Sequence, residues 1–349
     1  MQLAALTKRL KTRKSKREQD WNNKLHRHNQ KAFYSTIRTR GEGTKQISDP
    51  PPEEEVKSFW ETLYSEQGKH SEDAKWLRKE ENEMQNVQNA QWENISNDKI
   101  TKACKRLANW KSPGLDQVQN FWLKHFIALH QKLTKIINNI VTNPNKAPRW
   151  LTRGRTTLLY KSGPMNQAKN YRPITCLPTY YKLTTLILTD RVYKHVINNS
   201  ILPIKQKGPR RKARGCKDHL LLDKAITEDA KRKKRNISMM WIDYKKAYDS
   251  VPHSWITKVL ELYKIDNTTS KFIKELMPTW CTKTYLHHTK GTIMTDDINY
   301  RRGIFQGDTL SPLLFCLCLV PITNILKREG YGYKIGNKKK IVICCTSTT

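Results

Sequence analysis

Apolar residues recur at helical spacing over most of this 349-residue chain and alternate two by two in only a few short stretches. Leu3, Leu6, Leu10, Trp21, Leu25, His28 and Phe33 mark a loose stripe that predicts one basic helix over residues 3–38. A linker over 41–52 follows and ends in Asp-Pro-Pro-Pro, which cannot continue a helix. Short acidic helices are expected at 53–64 and 71–85. Ser96-Asn97-Asp98 supplies an N-cap for a helix through residue 110, with Ile100, Ala103, Cys104 and Leu107 on one face. A turn over 111–116 leads to an amphipathic helix over 121–141. Alternation over 155–161 predicts a strand, which Ser162-Gly163-Pro164 turns. Helical spacing returns at 178–198; a basic loop over 203–215 and a helix over 217–232 precede an apolar strand at 237–242. Helices at 252–263 and 270–280, strands near 283–288 and 298–303, and an apolar helix at 310–327 complete the pattern, with no internal repeat.

Charge changes the picture most. Sixty-five Lys and Arg stand against 31 Asp and Glu, a formal net charge of +34. A surplus of that size repels itself unless a polyanion neutralises it, so nucleic acid is the natural partner. An acidic membrane surface would need a basic amphipathic helix or a lipidation signal, and neither stands out. No apolar run approaches the roughly 20 residues that span a bilayer. The Met1–Leu6 stretch is too short for a signal-peptide core and precedes its positive charge rather than following it. The eight cysteines lack paired metal-ligand spacing, and Cys316 and Cys318 read as small buried hydrophobes. The expected compartment is intracellular, nuclear or cytoplasmic, and not secretory. The basic run Lys231, Arg232, Lys233, Lys234 and Arg235 is a candidate nucleic-acid contact or import signal, with a plain basic helix end as the simpler account.

Candidate chemistry gathers in two segments. Asp243 closes the strand expected at 237–242, where a carboxylate makes a good hard-cation ligand. A lone Asp at a strand end is ordinarily a turn residue; Ala247-Tyr248-Asp249 close behind it changes that, because Tyr248 would set a ring where a sugar 2′-position is sensed. The second segment, Gly303 through Pro312, is a glycine turn feeding an apolar helix. These two, with Trp110-Lys-Ser-Pro-Gly-Leu-Asp116 and Asn170-Tyr-Arg172-Pro-Ile-Thr-Cys-Leu-Pro178, occur in the order seen in non-LTR (LINE-type) retrotransposon reverse transcriptases. The chain resembles that family over residues 96–328, and 208–222 also suits it. The resemblance implies an α+β right-hand polymerase with fingers and an incomplete palm, a helical basic N-terminal extension and no thumb. It implies Asp243 as the first catalytic metal ligand, Tyr248 as the steric gate, Lys161 and Arg172 as the grip on the incoming triphosphate, and Gln306 and Gly307 as contacts to template and nucleotide. Asp249 is expected to be a structural cap. Mg²⁺ is the implied cofactor; an RNA template and a DNA primer are the implied partners.

The family's third palm motif, aromatic-x-Asp-Asp, is not present in the sequence. Asp296-Asp297 precedes the Gln-Gly turn and is expected in a loop between strands, away from catalysis. The last residues, Ile341 to Thr349, carry an informative degeneracy. Read two bases later, Cys344-Cys345 must give Leu, the next triplet gives Tyr or His, and the last two can each give Asp. The whole tail can encode Ser-His-Leu-Leu-Tyr-Ile-Asp-Asp out of frame. The expected organisation is therefore a basic arm at 1–40, linker and short helices at 41–95, extension and fingers at 96–235, a partial palm at 236–335 and a frameshifted tail at 336–349. An alternative is a non-catalytic, reverse-transcriptase-like RNA-binding or maturase protein. Sequencing the encoding DNA decides the tail: the shifted triplets across Thr346 to Thr349 should read as a Tyr-x-Asp-Asp set, and any other reading removes the frameshift.

Overall fold

A computed structural model describes residues 47–330 apart from 212, then 332–334, and most positions between 7 and 21, which are helical. The expected arm beyond residue 21 and the tail at 336–349 lie outside the described residues. The chain divides into two units, Met1–Pro50 with His288–Gly291, and Pro51–His287 with Thr292–Thr349; the second carries everything considered below.

Its sheet has four strands in the order β2-β1-β3-β4: β1 Arg153–Tyr160, β2 Tyr171–Cys176, β3 Cys281–His288 and β4 Gly291–Asn299. β1 runs antiparallel to β2 and parallel to β3. Strict alternation buries Gly154, Thr156 and Leu158 of β1, and Thr282, Thr284 and Leu286 of β3. Their common face carries polar atoms that satisfy one another: the Thr156 hydroxyl lies 2.7 Å from those of both Thr175 and Thr282. Sequence patterning missed β2 because Pro173 interrupts it. A proline is tolerated there since β2 is an edge strand.

Around the sheet pack helices α1 Glu53–Ser65, α2 Lys75–Glu83, α3 Asn97–Arg106, α4 Asn120–His125, α5 His130–Thr142, α6 Thr179–Asn198, α7 Cys216–Arg232, α8 His253–Leu262, α9 Asn267–Leu276 and α10 Ser311–Arg328. Ser96 caps α3 as expected, its Oγ accepting from Lys99 N, but the helix stops at Arg106. The helix expected over 121–141 is two helices. His130, buried between them, donates from Nε2 to the Leu123 carbonyl at 2.7 Å and meets the Thr101 hydroxyl through Nδ1 at 2.9 Å. The ring thus satisfies a carbonyl that the broken helix leaves open. The turn before α4 is also structural. Asp116 Oδ2 accepts from Thr179 N at 2.9 Å, placing a carboxylate at the N-terminus of α6.

Three further expectations change. Residues 237–242 form no strand; a strand needs a paired neighbour, and no described strand flanks them, so Trp241 is left 79% exposed. Residues 298–303 are mostly turn, because β4 begins earlier and ends at Asn299. Asp296 and Asp297 lie inside β4 rather than in a loop, and Asp297 receives Arg153 at 2.8 Å.

α10 is long and apolar enough by length and composition to cross a membrane. Its hydrophobicity is that of a core helix: Leu313, Leu314, Cys316, Leu317, Cys318 and Val320 are all buried. One clamp fixes it to α2. Fully buried Glu80 accepts from Arg328 at 2.8 Å and Asn324 at 3.0 Å, while Arg328 also reaches Glu83 at 2.9 Å. Burial pushes the Glu80 carboxyl up, and these two donors pull it back.

Candidate active site

The two segments singled out in the sequence meet at a buried carboxylate. Asp249 sits in a short 3-10 turn, Tyr248–Ser250, and is 1% exposed. It accepts from the Tyr64 hydroxyl of α1 at 3.1 Å, and Gln306 Nε2 lies 3.1 and 3.3 Å from its two oxygens. Burial pushes its pKa up to about 6, against the opposing pull of Lys246 and these donors. Asp249 is therefore the structural anchor that the sequence reading expected, and it holds Gln306 directly.

Backbone contacts lock the same junction. Gly303 N donates to Val251 O and Ile304 N to Tyr248 O, at 2.8 and 2.9 Å. On the α1 side, Arg301 N donates to Tyr64 O at 2.7 Å, and Tyr64 stacks on Tyr300 with ring centroids 4.0 Å apart. Lys246 completes the anchor. Its ammonium donates to Tyr171 O at 3.1 Å and lies 4.5 Å from the Trp60 ring. Burial lowers its pKa, with nearby Lys161 adding to the effect. Tyr64 and Lys246 escaped the sequence reading: Tyr64 lies 185 residues before its partner, and no local spacing announces such a pairing.

The Gln306-Gly307 turn is seated on β2. Thr175 N donates to Gln306 O at 2.7 Å, closing the outer edge of that strand. Gly307 has φ +129°, and a Cβ there would fall inside van der Waals contact of Thr175 O. Glycine is needed at this point to approach β2, whatever else approaches it from the other side. Asp308, one residue on, is buried beneath the turn and accepts from Thr185 Oγ1 at 2.6 Å; burial pushes it up to about 6.

Lys161 and Arg172 come together as expected, both exposed at one end of the β1–β2 pair. Arg172 stands opposite Leu159, and Lys161 N donates to Asn170 O at 3.0 Å. The two side chains are diagonal neighbours on one face. Tyr248 lies flat against Phe315 of α10, centroids 5.0 Å apart at 16°. Asp243 is exposed, in a stretch without regular structure. Among the described residues no group of three His, Cys, Asp or Glu is placed to hold a metal ion. The basic run closes α7: Arg232 and Lys233 both pair with Asp229, at 2.7 and 2.9 Å, and hold its pKa down to about 2. Lys231, Lys234 and Arg235 remain exposed. The simpler account, a basic helix end, covers two of the five residues directly.

Comparison with known families agrees with this geometry. Residues 160–344, more than half the chain, match the family profile "Reverse transcriptase (RNA-dependent DNA polymerase)". The chain belongs to the reverse transcriptase family. Its relatives place it on the non-LTR branch. It is 32% identical over 217 residues to the Pol polyprotein of type-1 retrotransposable element R2 from Popillia japonica, covering 62% of this chain and 28% of that protein. It is 26% identical over 243 residues to the transposon TX1 149 kDa protein of Xenopus laevis, covering 68% and 18%. A probable RNA-directed DNA polymerase from transposon BS of Drosophila melanogaster is 27% identical over 228 residues, covering 62% and 24%. The chain thus spans less than a third of each of these relatives.

Two outcomes are expected of this reverse transcriptase domain. Gly307→Ala should destabilise the fold by about 2 kcal/mol or more beyond Gly215→Ala, since Gly215 also has positive φ but open space around it. Chemical denaturation of both variants measures the difference, and equal losses would mean the β2 contact is slack. The second outcome concerns pH. The folded Asp249 carboxyl keeps its proton up to about pH 6, whereas the ordinary value is 3.8. Its stabilising contribution is therefore complete below about pH 3.8 and is lost as pH rises through 6. The stability of the unsubstituted protein minus that of Asp249→Asn should fall by about 1–1.5 kcal/mol between about pH 5 and 7.5. A difference that stays flat across that range would remove the buried-carboxylate account.

Proposed function

We propose that this chain is the fingers and palm portion of a non-LTR RNA-directed DNA polymerase, acting on an RNA template and a DNA primer, whose catalytic centre is incomplete as translated. The observation that carries this reading is the seating of Gln306-Gly307 on β2, the strand that also bears Arg172, with Lys161 beside it on the end of β1. Arg172 suits a triphosphate through paired, charge-assisted bonds, and Lys161 suits it as a point charge. Tyr248, braced by Phe315, is the wall against a ribose 2′-hydroxyl. In this reading residues 96–235 are extension and fingers and 236–335 are partial palm, with β1 and β3 joining the two in one sheet. The compartment that suits it is the nucleus or cytoplasm.

Asp243 is the one carboxylate that this reading assigns to Mg²⁺. The metal would activate the primer 3′-hydroxyl and steady the leaving oxygens, which takes two ions about 4 Å apart. The described residues do not make such a centre, and residues 336–349 contain no Asp or Glu. The shifted reading of the tail restores both missing carboxylates at one stroke. As translated, the protein should retain nucleic-acid binding alone, carried by its net charge of +34 and falling steeply with salt.

Primer extension on a primed RNA template tests the proposal. The unaltered chain should bind the template but not extend it. The same chain with its tail and downstream codons read in the shifted frame should extend it with Mg²⁺, and Asp243→Asn in that version should abolish extension. Extension by the unaltered chain, or none by a folded restored version, would overturn it.

A further inference from the structure

Far along the chain from the Gln306 turn, α4 and the loop before it expose a set of aromatic rings that the folded domain does not use. Trp110 is 75% exposed, Trp122 49% and Phe126 51%. They are not scattered. Trp110 lies parallel to Phe121, with centroids 5.1 Å apart and planes at 11°. Trp122 lies parallel to Phe126, at 5.4 Å and 10°. Phe121 joins the two stacks edge-on through Trp122, at 5.3 Å and 84°. The result is two pre-built stacks facing different ways, and their rings remain in water. Exposed rings so grouped mark a binding surface more often than a chance patch.

The charges beside the rings identify the occupant. Lys111 and His125 are exposed next to Trp110 and Phe126. The carboxylates on nearby elements are engaged elsewhere: Asp116 caps α6, Asp98 pairs with Lys102 at 2.6 Å, and Asp190 holds Arg106 and Arg211. Exposed Ile127 and Leu129 widen the patch on one side, and aliphatic surface alone would suit a protein. Parallel ring stacks with cations beside them suit unpaired bases instead. Any base presents a π-face that extends a stack, while its phosphate meets the cation.

We propose that Trp110, Phe121, Trp122 and Phe126 form a stacking platform for single-stranded nucleic acid, separate from the residues assigned to nucleotide and template. The platform reads no sequence, since stacking is open to every base. It does not depend on Asp243 or on the state of the tail, so it holds whether or not the polymerase reading does.

Binding of the full chain to fluorescently labelled homopolymeric RNA, measured by anisotropy, tests it. The comparison strand is an abasic oligonucleotide of equal length, which offers phosphates without bases. The unaltered chain should prefer the base-bearing strand by at least about tenfold, the lower end of one to two stacked bases. Trp110→Ala with Phe126→Ala should erase that preference and leave abasic binding unchanged, while Trp110→Phe with Phe126→Tyr should keep it. Thermal melting confirms that each variant folds. Equal affinity for the two strands would overturn the proposal in favour of simple charge attraction. Concentration-dependent self-association that the double alanine variant abolishes, with no preference for bases, would overturn it in favour of a protein interface.

Discussion

The carboxylate of Asp249 accepts hydrogen bonds from helix α1 and from the Gln-Gly turn while almost wholly cut off from water. Burying a carboxylate is unfavourable unless donors surround it, and here the donors come from segments 185 residues and 57 residues away along the chain. The geometry of the turn therefore depends on a helix that carries none of the polymerase motifs. Removing Tyr64 would leave a buried acceptor short of a donor; removing Gln306 would do the same from the other side. Lys246, seated on Trp60 and Tyr171 O, supplies the compensating charge nearby. Four segments thus meet at one charged cluster, and the reverse transcriptase turn is its outermost layer.

That dependence explains why α1 is not a spacer. Trp60 and Tyr64 are fully buried, and Tyr64 stacks on Tyr300 directly ahead of the glycine turn. Its acidic first turn, Glu53 to Glu55, suits the positive end of the helix dipole, so local composition and tertiary role agree. The segment around Asp243 presents the opposite case. Its apolar run Met239-Met240-Trp241-Ile242 has the composition of a central strand, yet three of these residues stand largely in water. Such a run is stable as a strand only when neighbours pair its backbone and cover its side chains.

Much of this was legible beforehand, for identifiable reasons. Long helices with regular stripes, such as α6 and α10, were recognisable because their burial is set by local periodicity. Lys161, Arg172, Gln306 and Gly307 were recognisable because a motif is contiguous and survives transfer between relatives. What was not legible depends on distant partners. β2 hides behind Pro173, whose place on an edge only the sheet order reveals. The division of the helix at Phe126 depends on buried His130, which by sequence is one more residue of an amphipathic run. Asp297 was expected in a loop because two adjacent acids look like a turn, but Arg153 across the sheet neutralises one of them in a strand.

The distribution of acidic residues connects these observations to the charge of the molecule. Glu80 clamps α10, Asp116 caps α6, Asp266 caps α9 through Thr269 N, Asp249 anchors the turn, Asp308 lies beneath it and Asp229 closes α7. Acids engaged inside the fold still count toward net charge, but they cannot screen the surface locally. The surplus of 65 basic over 31 acidic residues is therefore expressed outward more strongly than the totals imply. A molecule built this way meets a polyanion with a nearly uninterrupted basic face and must rely on other groups to choose between duplex, single strand and simple counterion. Rings can make that choice where charge cannot, because a lysine binds any phosphate but a stacked tryptophan gains only from an exposed base.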